Sequence, residues 1–180
     1  MGKEWTILFD DLGGLQPVGD ALRISEEETE RFLEQKELSG NKDFKDFIRL
    51  CGGKALTESV VCSGFDRVPS FPGGEIPLSV IFGFMEGPFG IIEIDELVED
   101  NIPAGFFPFA MGDPTGDYWV YHMESGGIYF WEHDEPGGEN IHKAASSIKV
   151  FIRNCRIRDE SPSPEDSEHR IVDFWISDDL

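Results

Sequence analysis

Apolar positions in this chain recur with two different periods, and the switch between them divides it into elements. Phe44, Phe47, Ile48 and Cys51 stand three and four residues apart, the spacing of one buried helix face. The stripe predicts a helix over residues 42–51, stopped by Gly52-Gly53 because glycine enters the left-handed region without penalty. Upstream, Ser25-Glu26-Glu27-Glu28 has the pattern of a capping box and predicts a helix over residues 26–37. Its three leading carboxylates also suit the positive end of the helix dipole. The opening run Trp5-Thr6-Ile7-Leu8-Phe9 is followed by Asp-Asp and Gly-Gly, and reads as a short strand or a packed arm.

Further on the period shortens to two. Residues 59–63 and 76–84 read as strands around a Pro/Gly-rich loop at 65–75, and 91–100 as a strand leading into a short helix. Three aromatic-rich runs, 106–111, 117–123 and 128–133, are separated by Gly-Asp-Pro-Thr-Gly and Glu-Ser-Gly-Gly, which predicts a β-meander. Alternation sets Tyr118, Val120 and His122 against Trp119, Tyr121 and Met123, and Ile128, Phe130 and Glu132 against Tyr129, Trp131 and His133. Large side chains on both faces predict helices over one face and a partly open groove on the other. A last helix is predicted over 141–157, with Ala144, Ala145, Ile148, Phe151, Ile152 and Cys155 as its apolar stripe. Residues 1–158 therefore read as a single α+β domain around a central antiparallel sheet. The acidic extension 159–180 starts with a flexible linker, 159–168, and ends in an apolar segment, 171–176, expected to dock back.

Charge changes this picture more than composition does. Thirty-six acids against fifteen Lys and Arg give a net charge of −21 and a pI near 4.3. Such a balance argues against direct nucleic-acid binding and favours a basic protein partner captured by electrostatic steering. The charge is also segregated. Net charge is −5 over residues 1–67, −14 over 68–142, +5 over 143–158 and −7 over 159–180. The second block holds no Lys or Arg at all, whereas a simply solvated surface mixes the two signs. No window is apolar enough for a membrane span, and residues 1–11 lack the basic start of a signal peptide. Cys51, Cys62 and Cys155 are widely separated, without a CxxC pair, and read as three buried free thiols in a reducing cytoplasm.

Candidate chemistry is sparse. Asp113-Pro114-Thr115-Gly116-Asp117 has the oxygen density of a calcium loop but lacks the remaining ligand positions, so it reads as a hairpin turn. His133, Asp134, Glu135, Glu139 and His142 follow no metal-ligand spacing. There is no GxSxG, P-loop or GxGxxG. The expectation is a protein without cofactor, metal or catalytic residues. Its partner-binding patch is expected on the meander, where Trp119, Tyr121, Tyr129 and Trp131 are flanked by Asp113, Asp117, Glu124, Glu132 and Asp134.

The order of these signals resembles the SUKH superfamily, which includes cell-wall assembly regulator-like proteins and bacterial immunity proteins. Three segments carry the resemblance: Asp43-Phe44-Lys45-Asp46-Phe47-Ile48-Arg49-Leu50-Cys51-Gly52-Gly53, Ile102-Pro103-Ala104-Gly105-Phe106-Phe107-Pro108-Phe109-Ala110 with Asp113, Gly116 and Asp117, and Ile128-Tyr129-Phe130-Trp131-Glu132-His133-Asp134. A fourth, Ala144-Ala145-Ser146-Ser147-Ile148-Lys149-Val150-Phe151-Ile152, is similar to the family's closing helix, and the whole covers about 24–157. Asn41-Lys42 stands where the family often has Leu-Pro, and Asp117 where Asn commonly follows the glycine. The resemblance implies an immunity protein that neutralises a cognate nuclease-type toxin of a polymorphic or contact-dependent system. A regulatory scaffold binding signalling or cell-wall enzymes is the alternative, and a metal-dependent enzyme using the acidic loops a second.

Overall fold

Local rules decide the helices of the computed structural model, which describes residues 2–20, 22–63, 66–112, 116–134 and 140–159. Helix α1, Gly2–Asp10, replaces the expected strand or arm. Trp5 and Phe9 lie four residues apart and are buried, while Ile7 between them is exposed. The helical period therefore wins over the apolar run, and Trp5 and Phe9 pack on Phe47 with ring centroids 5.3 and 6.3 Å away. After strand β1, Leu15–Pro17, helix α2 spans Glu26–Gln35 and opens with the predicted capping box. The Ser25 hydroxyl accepts from the Glu28 N–H, and the Glu28 carboxylate accepts from the Ser25 N–H at 3.0 Å. Helix α3, Lys42–Cys51, buries the predicted stripe. Asn41, at the departure from the Leu-Pro pattern, caps it by accepting from the Phe44 N–H at 3.1 Å.

The strands are β2, Lys54–Ser63; β3, Glu75–Ile81; β4, Phe106–Met111; β5, Tyr118–His122; β6, Ile128–Trp131; and β7, Ile141–Ala145. They hydrogen-bond in chain order from β1 to β7, every pair antiparallel, so the expected meander is present within an α+β fold. Between β3 and β4 the chain forms one helix, α4, Ile91–Val98, not a strand followed by a helix.

The expected last helix is three elements. Residues 141–145 form β7, Ile148–Arg153 forms α5, and Cys155–Ile157 forms an eighth strand, β8, on the outer edge of β2. Pairing of β7 with β6 outweighs helix spacing, and Ser147 caps α5 by accepting from the Val150 N–H. Strand β8 sets Cys155 opposite Cys62, and the two form a disulfide. Cys51 alone is a free buried thiol, which corrects the reading of three free cysteines.

Helices α3 and α5 cover one face of the sheet. Phe44 of α3 stacks on Tyr121 at 3.8 Å and meets Phe107 and Phe109 edge-on, while Phe151 of α5 contacts Trp119 and Phe109. On the other face Tyr118 stacks on Trp131, and Phe106, His122 and Tyr129 form a half-buried aromatic trio. At the β7 edge, Asp66 takes the Lys143 N–H on its carboxylate and gives its own N–H to the Lys143 carbonyl. Both exposed edge groups of that residue are thereby occupied. Among the described residues no helix is long and apolar enough to cross a membrane. The linker 159–168, apart from Asp159, and the segment 171–176 lie outside the described residues.

Candidate acidic interaction face

Of the nine residues predicted to form a patch on the meander, five are buried, while Asp117 and the exposed Asp134 meet on His133. Trp119 and Tyr121 point into the helix-covered face and are buried, with the Trp119 indole N–H donated to the Pro77 carbonyl at 2.8 Å. Trp131 is buried against Tyr118. Asp117 is buried and accepts from the His133 backbone N–H at 3.0 Å, with His133 Nδ1 2.9 Å away. Glu132, also buried, holds Ser70 through both hydroxyl and backbone N–H and lies 2.7 Å from His142 Nε2. These five side chains are engaged inside the domain. Tyr129, Glu124 and Asp134 retain exposed surface, and Asp113 lies outside the described residues.

Ser70, Glu132 and His142 contain the groups of a hydrolytic triad in an order that does not activate the hydroxyl. The carboxylate sits between the other two, so Ser70 is held by Glu132 and not by the imidazole that would take its proton. The cluster ties loop 66–74 to β6 and β7. No three or more His, Cys, Asp or Glu side chains among the described residues are placed to hold a metal ion.

The electrostatics point elsewhere on the surface. Among the described residues, nine Lys and Arg side chains stand in ion pairs with acids of the chain. Four of the five bases of the basic block are among them, three of these on the surface. Lys149 pairs with Asp43 at 2.9 Å and with Glu4, Arg153 with Glu4, and Arg156 and Arg158 with Glu75. Segregation along the sequence thus becomes pairing in space for most of the described bases, while several described acids make no ion pair among the described residues. Glu93, Glu96 and Asp100, on or just after α4, are exposed and make no ion pair among the described residues.

Helices α2 and α4 enclose a groove of about 310 Å³. Ile24, Phe32 and Ile92 line it with apolar surface, Glu28, Asp95, Glu96 and Glu99 bring four carboxylates to it, and Arg31 and Lys36 bring two cations. Lys36 reaches Asp95 at 2.6 Å and Glu99 at 3.3 Å. The next residue, Glu37, lines a second depression with Asp43, Met123 and Glu124, and Lys42, paired with Asp46, is the cation in that lining. An acidic belt therefore runs from α4 past the end of α2 to the β5–β6 turn, where it includes Glu124 of the predicted patch. The cation-free stretch 68–142 contributes Glu96, Glu99 and Glu124 to this belt, whereas Glu28, Glu37 and Asp43 come from outside it. Helical spacing in α4 turns Glu93 and Glu96 outward, which strand alternation would not.

The Lys36–Asp95 pair anchors the groove. Burial pushes the Asp95 carboxyl above its ordinary value, against the opposing pull of Lys36. For Lys36, burial works to lower the value, but Asp95 and Glu99 together outweigh it and hold the ammonium above the usual lysine range. Removing the lysine strands a buried carboxylate. Lys36→Met is expected to lose about 2 kcal/mol at neutral pH, less than a fully buried pair because Lys36 keeps some exposure. The Asp95 pKa in this variant lies still further above its unfolded value, so the folded state holds the proton more tightly. The deficit against the parent should therefore shrink as pH falls into the carboxylate range and grow as it rises. Urea unfolding at pH 4 and pH 7 measures it, and an equal deficit at both would refute the account.

The SMI1 / KNR4 family (SUKH-1) model matches residues 23–154. No curated protein and no solved structure matches the chain. The match spans α2 through α5, the region that contains the groove, the belt and the meander. With most of its length matched, the chain belongs to the SUKH-1 family, whose members are protein-binding domains of generally non-enzymatic role.

Proposed function

We propose that this protein is a cytoplasmic immunity protein that neutralises a nuclease-type toxin by covering its basic, phosphate-binding groove with the acidic belt. The observation that carries the reading is the belt itself: carboxylates on α4, at the end of α2 and at Glu124 face outward, while among the described residues nine Lys and Arg side chains are paired with acids of the same chain. A nuclease must hold a polyanion, so its cleft is basic and complementary to such a surface. Long-range attraction of this kind speeds capture more than it tightens the complex.

The test uses a nuclease-type toxin domain encoded beside this chain. Co-expression with the parent should restore growth and inhibit nucleic-acid cleavage by the purified toxin. The triple variant Glu93→Lys/Glu96→Lys/Asp100→Lys should associate roughly 10- to 100-fold more slowly at low salt. The difference should narrow as ionic strength rises. Protection by the triple variant equal to that of the parent, with unchanged kinetics, would sink the occlusion reading. Capture of a non-toxic enzyme instead would move the protein to the scaffold class.

A further inference from the structure

The match to the family ends at residue 154, one position before Cys155. Strand β8 and Cys155 thus lie just outside the matched region, while Cys62 lies within it. Strand β8 is three residues long and, among the described residues, pairs only with β2, as Val60↔Ile157, Val61↔Arg156 and Cys62↔Cys155. Strand β2 has a divided outer edge: β1 covers Lys54 to Leu56, and β8 covers Val60 to Cys62. Cys62 is fully buried and Cys155 is 8% exposed, so the bond is shielded from casual exchange yet lies at the rim. Besides the disulfide, β8 is held by Arg156 and Arg158 on Glu75 and by the Arg158 N–H on the Ser59 carbonyl. Those ion pairs are half-exposed and worth little each.

We propose that Cys62–Cys155 is a redox-operated clamp on the edge of the sheet. With a small disulfide such as oxidised glutathione as oxidant, both thiols lose hydrogen, the Cys62–Cys155 bond forms and two molecules of the small thiol are released. An external dithiol reverses the step and is itself converted to a disulfide. With the clamp open, β8 frays and the backbone groups of Val60 to Cys62 are exposed as an unpaired edge. The third cysteine does not take part. Burial pushes the Cys51 thiol up to about 12, so it stays protonated and cannot attack the bond from within. The clamp also accommodates a disulfide in a protein read as cytoplasmic, where thiols are kept reduced unless an oxidant intervenes.

Hydrogen exchange followed by mass spectrometry on the full chain, oxidised with glutathione disulfide or reduced with a phosphine, tests the idea. The oxidised chain should expose one alkylatable thiol on unfolding and the reduced chain three. On reduction, exchange at residues 60–62 and 155–157 should rise about tenfold or more, while α3 and β5 keep their protection. Cys155→Ser should exchange like the reduced parent and ignore the oxidant. Three alkylatable thiols after oxidation, unchanged exchange at β8, or a uniform rise across all elements would each overturn the clamp.

Discussion

Phe44→Ala should remove about 4 kcal/mol of stability, a third or more of what a domain of this size commonly has. The side chain is fully buried, and no other ring joins the helices to the sheet through so many partners among the described residues. It stacks on Tyr121 at 3.8 Å, meets Phe109 at 5.7 Å and Phe107 at 6.3 Å edge-on, and lies beside Phe47 at 6.3 Å. Truncation removes the transfer free energy of a phenyl ring, and the neighbouring rings, held by other partners, cannot close the hole. Phe44→Leu keeps most of the volume and should cost about 1.5 kcal/mol or less. Urea unfolding followed by circular dichroism separates the two variants. A loss below about 1 kcal/mol for Phe44→Ala would mean that the helix layer is not seated as described.

Gly83→Ala should cost about 3 kcal/mol for a different reason. The residue is buried where the end of β3 passes the turn between α3 and β2. An added Cβ would lie 2.3 Å from the Gly53 nitrogen, 2.6 Å from its Cα and 2.7 Å from the Gly52 carbonyl carbon. All three are backbone atoms, so no rotamer change relieves the overlap. Gly73 supplies the control, because a Cβ there meets nothing within 4 Å and its φ is not in the left-handed region. Gly73→Ala should be neutral or slightly stabilising by restricting the unfolded chain. Equal thermal midpoints for the Gly83 and Gly73 variants would contradict the close approach.

The Gly52-Gly53 pair shows how far the sequence could be read. A helix stop was expected there, and Gly53 does adopt φ +73° just beyond α3. The second duty of the pair, to admit Gly83, depends on a chain segment thirty residues away and has no local signal. The same division applies to residues 141–157. Ala144, Ala145, Ile148, Phe151, Ile152 and Cys155 satisfy helix spacing, and only the presence of β6 and β2 as partners makes strands of the two ends. Pairing also brings together Cys62 and Cys155, 93 residues apart, which no spacing rule connects.

The candidate surface was legible as a charge pattern but not as a place. Alternation correctly separated Trp119 and Tyr121 from Tyr118 and Val120, yet it does not tell which faces are covered, and both proved largely buried. Glu132 and Asp117 counted toward an acidic exterior in the sequence. Loop 66–74 and the His133 backbone drew them into internal bonds, as often happens to carboxylates near strand ends.

The bonds that Asp66 makes to Lys143 have a consequence for recognition. They occupy Lys143 on one border of the sheet, and the three-residue strands β1 and β8 form the other, so an incoming chain finds only short stretches of main-chain ladder to extend. On the proposed function, affinity for a partner then comes from side chains on α2, α4 and the β5–β6 turn. Such positions can be exchanged one at a time while every strand keeps its register, so on that reading a new partner can be met without rebuilding the scaffold.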